Sequence, residues 1–121
     1  DDLIYHLTLP NAWTEAQARG EYRAASLESQ GFVHASTREQ VVATANRVFL
    51  GEPRLVLLCI EPARLRAQVR FEPADLPGET EGVEGLFPHV YGPVNLDAVV
   101  AVLDLPAGAD GLFALPDGLE R

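Results

Sequence analysis

Lysine and methionine are absent from this 121-residue chain, and cysteine and tryptophan occur once each. Without lysine there is no Schiff-base nucleophile and no phosphate-loop lysine, so those enzyme classes are excluded. Nine arginines face eighteen Asp and Glu residues, giving a net charge of −9. Such a chain lacks the basic surface that displaces counterions from nucleic acid or an anionic membrane, so neither an extended nucleic acid nor a membrane is an expected partner. No apolar run approaches the ~18 residues that cross a bilayer. The opening Asp1-Asp2-Leu3 carries no signal pattern and no initiator Met; trimming of the N-terminus and a cytoplasmic location are the expectations. The lone Cys59 lies in the apolar run 55–60 and reads as a small buried hydrophobe without a chemical role.

What is present fits one folded domain spanning residues 1–121, with 47% hydrophobic and 22% charged residues. Leu3 to Thr8 reads as a strand. Asn11 is placed to cap a helix through Ala18 that Gly20 stops. Residues 21–29 are polar and irregular, and 31–35 return to strand character. Thr37-Arg-Glu-Gln40 has capping-box spacing before a helix over 41–50. The run 54–60 is too short for a helix and apolar enough for a central strand buried on both faces. Further strands are predicted at 68–72, 87–91 and 98–105, with a short edge strand at 111–115 and an acidic Gly- and Pro-rich loop over 73–85. Strands outnumber helices and fall mostly late, which predicts an α+β domain with a mixed or antiparallel sheet and two helices in the N-terminal half.

Three histidines, His6, His34 and His89, each sit within a short strand-like run. Imidazole is the side chain whose ordinary pKa lets it exchange protons near neutrality, so these are the candidate site residues. The start of the 41–50 helix follows His34 and Ser36 directly, and a helix N-terminus favours an anion such as phosphate. Ser36 and Thr37 read first as caps of that helix, a role that can share its backbone amides with a phosphate site. Arg23 reads either as a bidentate phosphate or carboxylate binder or as a surface salt-bridge partner. Tyr91 reads as core packing or as part of the site, and Glu72 as a solvated strand-end carboxylate or a catalytic acid.

The stretches Ile4-Tyr-His-Leu-Thr8, Gly20-Glu-Tyr-Arg23, Ser26-Leu-Glu-Ser29, Gly31-Phe-Val-His-Ala-Ser-Thr37, Ala45-Asn-Arg47, Leu55-Val-Leu-Leu58 and the run 87–97 together resemble the domain-of-unknown-function 952 family over nearly the whole chain. That family in turn looks like a remote relative of the ADP-ribosyltransferase superfamily, by analogy of motif order and spacing. The resemblance implies a split-sheet fold binding NAD in a cleft. It implies that His6 and Thr8 hold the nucleotide, that His34 stands near the residue that stacks on the nicotinamide, with Ser36 beside it, and that His89 occupies the place of the usual late-strand glutamate. A neutral imidazole cannot offset developing positive charge as a carboxylate does, so Glu72 is the candidate substitute.

Three classes of function follow. The first is an enzyme on a small nucleotide, NAD or ADP-ribose-like, performing glycosyl or phosphoryl transfer or hydrolysis, with His34, His89 and Glu72 catalytic and His6, Thr8, Arg23, Ser36 and Tyr91 binding. The second is a zinc site of three imidazoles with hydrolytic activity. The third is a non-catalytic ligand-binding module.

Overall fold

The computed structural model describes residues 2–73, 85–116 and 119, so nearly all of the acidic loop predicted at 73–85 lies outside the described residues. Along the chain run β1 (Ile4–Thr8), α1 (Pro10–Arg19), β2 (Glu21–Tyr22), α2 (Ala25–Ser29), β3 (Val33–His34), α3 (Val41–Val48), β4 (Arg54–Ile60), β5 (Gln68–Glu72), β6 (Phe87–Tyr91), β7 (Val94–Asn95) and β8 (Val99–Pro106). Single 3-10 turns occupy Pro62–Arg64 and Leu96–Ala98. The strands form three small sheets, ordered β1-β4-β8, β2-β7 and β3-β6-β5, and every pairing is antiparallel. The result is a single α+β domain.

Strand β4 is central, as its unbroken apolar run predicts, and the alternation of its side chains divides the core. Leu58 and Ile60 face one way, joining Ile4, Tyr22, Val33, Val90 and Val94. Leu55, Leu57 and Cys59 face the other, joining Tyr5, Leu7, Val41, Leu105 and Phe113. Burial pushes the Cys59 thiol up to about 11, which leaves it protonated and chemically inert. The first cluster binds the central sheet to the two smaller ones, and the second binds it to α3. Tyr5 and Ser36 exchange backbone hydrogen bonds of 2.8 and 2.7 Å, tying the free edge of β1 to the chain just after β3.

Several expectations need correction. There are three helices, not two: α2 forms within the stretch read as irregular, because a five-residue helix is too short to carry a periodic apolar signal. Helix α1 begins two residues earlier than expected, with Pro10 in its first turn and Leu9 as N-cap, so Asn11 lies inside it. Gly20, at φ 96°, ends it by donating its N–H to the Ala16 carbonyl. Helix α3 stops at Val48, and of the expected capping box only the return bond forms, from the Thr37 N–H to Gln40 Oε1 at 2.9 Å. Residues 111–115 form no strand. Phe113 is instead anchored by Asn46, whose side-chain amide exchanges two bonds with its backbone.

Candidate functional site

Pairing register places the site. In the β3-β6-β5 sheet, His34 lies opposite His89, and His89 opposite Arg70. Because side chains two apart share a face, Arg70 and Glu72 on β5, His89 and Tyr91 on β6, and Phe32 and His34 leading through β3 line one side. Val33, Val69 and Val90 on the other side enter the core. The ring geometry agrees: Phe32 stacks on His89 with centroids 4.1 Å apart, and His34 meets His89 edge-on at 5.3 Å. Gly31, at φ 90°, turns the chain from α2 into this strand and so aims Phe32 inward.

His89 is 1% exposed and is held by Glu72, with Nδ1 2.9 Å from Oε1. The Tyr91 hydroxyl donates to the same oxygen at 2.5 Å. These two donors, that of Tyr91 first, hold the Glu72 carboxyl below its ordinary pKa, so it is ionised near neutrality and accepts from Nδ1–H. In neutral His89 the lone pair therefore resides on Nε2. That atom is buried and has no hydrogen-bond partner among the described residues. At a pH where the ring is neutral, ring 15N shifts are expected to show the proton on Nδ1, and Glu72→Ala to lose that preference. A wild-type His89 protonated on Nε2 would overturn the assignment.

His6 joins the cluster from β1. Its Nδ1–H donates to the His34 carbonyl oxygen, and its Nε2 lies 2.8 Å from the Tyr22 hydroxyl, which in turn lies 2.9 Å from Thr8 Oγ1. Burial, aided by the neighbouring His34 and opposed by the carbonyl bond, lowers His6 to about 4, so the ring is neutral at physiological pH. With its one proton on Nδ1, Nε2 must accept from Tyr22, and the Thr8 hydroxyl completes the chain by donating to Tyr22. His34 is bound through Nε2 to Gln30 Oε1 at 2.8 Å.

Beside these groups lies a cavity of about 130 Å³, lined by His34, Ser26, Ser36 and Thr44 with apolar walls that include Leu7 and Val48. The structure thus gathers His6, Thr8, His34, Glu72, His89 and Tyr91 into one connected cluster and sets Ser36 at its cavity. It leaves Arg23 outside, in an ion pair with Glu21 at 3.1 Å with both side chains 40% exposed. Such a pair contributes little.

Residues 7–102 match the profile of the family described as "Protein of unknown function (DUF952)". The chain belongs to this family. A crystal structure of protein CC0527 from Caulobacter crescentus is similar to it, with 33% identity, 98% of this chain and 99% of that chain covered, and a TM-score of 0.82. The solution NMR structure of CC0527 is also similar, with 33% identity, 98% and 97% covered, and a TM-score of 0.72. No curated protein matches the chain in sequence.

Within this DUF952 protein the three imidazoles named as an alternative zinc site are not grouped as a ligand set among the described residues. Among the described residues no group of three His, Cys, Asp or Glu side chains is placed to hold a metal. The reason is that both nitrogens of His6 are already engaged within the protein, leaving it no lone pair to offer. No helix among the described residues is long and apolar enough to cross a membrane. Sequence reasoning passed over Tyr22, Phe32, Gln30 and Thr44. Phe32 was detectable, since it stands two residues before His34 in an extended run and must share its face. Tyr22 and Gln30 carried no such signal, because their contacts with His6 and His34 depend on how β2 and α2 pack.

Proposed function

We propose that the imidazole cluster is the acid–base site of an enzyme acting on a small nucleotide, NAD or an ADP-ribose-like molecule, by glycosyl or phosphoryl transfer or hydrolysis, on a fold of the ADP-ribosyltransferase type. The observation that carries this reading is the unpartnered Nε2 of buried His89. A buried polar atom without a hydrogen bond costs about 1–3 kcal/mol, a cost that a purely structural histidine gives no reason to retain. A carboxylate that fixes Nδ1–H and leaves Nε2 as the base is the arrangement general-base catalysis requires. Both of the carboxylate's hydrogen bonds fall on Oε1, so Oε2 of the half-exposed Glu72 remains to face positive charge developing on a substrate. Phe32 covers the His89 ring, and the reading requires substrate to displace it.

The test is an NMR titration of the three imidazole side chains with NAD and with ADP-ribose. Concerted, saturable shifts of His34 and His89, weakened at least about tenfold by His89→Gln, are expected. Independent responses, or none, would overturn the nucleotide site and leave a non-catalytic module as the better description.

A further inference from the structure

The cavity beside His34 differs from an ordinary phosphate site. Among the described residues neither an arginine nor a carboxylate lines it. A phosphate buried there would have no counter-charge, a placement that desolvation strongly disfavours. Its polar side chains among the described residues are hydroxyls and the imidazoles of His34 and His6. Ser36 is 3% exposed and Thr44 9%, yet the only hydrogen bond of either side chain among the described residues is their mutual contact at 3.5 Å, the long limit of such a bond. Ser26 Oγ donates to the Phe32 carbonyl at 2.7 Å, which leaves its lone pairs free to accept. Buried hydroxyls with this much unused capacity need a partner that both donates and accepts. The volume of about 130 Å³ holds about four waters at their liquid volume, roughly one small ring. It is well below the ~300–1,000 Å³ of pockets that enclose whole drug-sized ligands.

We infer that this cavity seats an uncharged polyhydroxyl ring, a sugar, with any phosphate of the substrate left outside it. The inference rests on the nucleotide reading for the identity of the whole substrate, while the cavity's own chemistry selects the sugar. Thr44 and Ser36 exchange hydroxyl bonds with the ring, Leu7 and Val48 pack against its carbon face, and His34 stands at its edge within reach of the catalytic cluster.

Backbone amide shifts of the full chain, titrated in parallel with D-ribose, ribose 5-phosphate and inorganic phosphate, test this. D-ribose is expected to move Ser36, Thr44 and His34 saturably, with ribose 5-phosphate binding within about threefold and phosphate alone leaving them unmoved. Thr44→Val keeps the side-chain shape and is expected to weaken D-ribose at least about tenfold, with an otherwise unchanged amide spectrum reporting an intact fold. Saturation by phosphate alone, or no response to D-ribose, would overturn the inference. If NAD moves His34 and His89 while D-ribose leaves Ser36 and Thr44 untouched, the sugar assignment fails and the nucleotide site stands. If D-ribose binds and the nucleotides do not, the nucleotide site fails and the sugar cavity stands.

Discussion

Lowering the pH from about 6.5 to about 4 is expected to cost the fold about 3 kcal/mol through His6 alone. The sign follows from which state binds more protons. In the unfolded chain His6 takes up a proton near its ordinary 6.5, whereas in the fold burial holds the ring neutral until about 4. Between these values the unfolded state carries the extra proton, so stability falls as the pH falls, at up to about 1.4 kcal/mol per pH unit. Above the window His6 is neutral in both states, and below it charged in both, so its contribution is flat. Glu72 and Asp97, whose carboxyls their hydrogen-bond donors hold low, add losses of the same sign that begin around their ordinary values of 4.5 and 3.8, so Glu72 overlaps the acid end of this window and both continue below it. Urea unfolding at a series of pH values measures the slope, and His6→Gln isolates its source. The glutamine amide retains a donor for the His34 carbonyl and an acceptor for Tyr22 but does not titrate. An unchanged slope in His6→Gln would show that another group carries the acid sensitivity.

Leu57→Ala is expected to destabilise the protein by about 3 kcal/mol and to lower Tm by roughly 10–15 °C. Leu57 is fully buried in the middle of the central strand, paired with Leu7 on one side and Leu103 on the other. Neighbours held by two strand pairings cannot collapse into the space a deleted isobutyl group leaves, so a cavity term adds to the lost burial. Its side chain lies on the face opposite His6 and Leu58, so the ring resonances of His6, His34 and His89 in the folded variant are expected to match the wild type. Thermal unfolding with a histidine spectrum of the folded variant checks both halves. A loss below about 1 kcal/mol would mean that this core repacks freely around the fully buried side chains of β4.

How much of this was legible in advance depended on the range of the interaction. The strands at 54–60, 68–72 and 87–91 could be read because their apolar or alternating patterns are local and long enough to repeat. The two-residue strands β2, β3 and β7 were not resolved at those lengths, since such pieces exist only through their cross-strand partners. The helix break at Gly20 was visible, whereas the start at Pro10 was misplaced by reading Asn11 as a cap. For the site, the three histidines stood out by residue type alone, and Arg23 stood out equally but ended in a surface ion pair.

By itself the sequence determined the chemistry on offer: an acidic, lysine-free chain with three imidazoles on strand-like runs, an inert buried thiol, and a central apolar strand able to organise a core. Only the tertiary structure decided which of those groups act together. Antiparallel register set His34 against His89, and a carboxylate from β5 fixed the proton on one nitrogen and left the other bare. The packing of β3 and β2 against β1 engaged both nitrogens of His6, Nδ1 with the His34 carbonyl and Nε2 with Tyr22. These outcomes depend on contacts between residues far apart in the chain, where a shift of one residue in register would turn the same side chains to the opposite face.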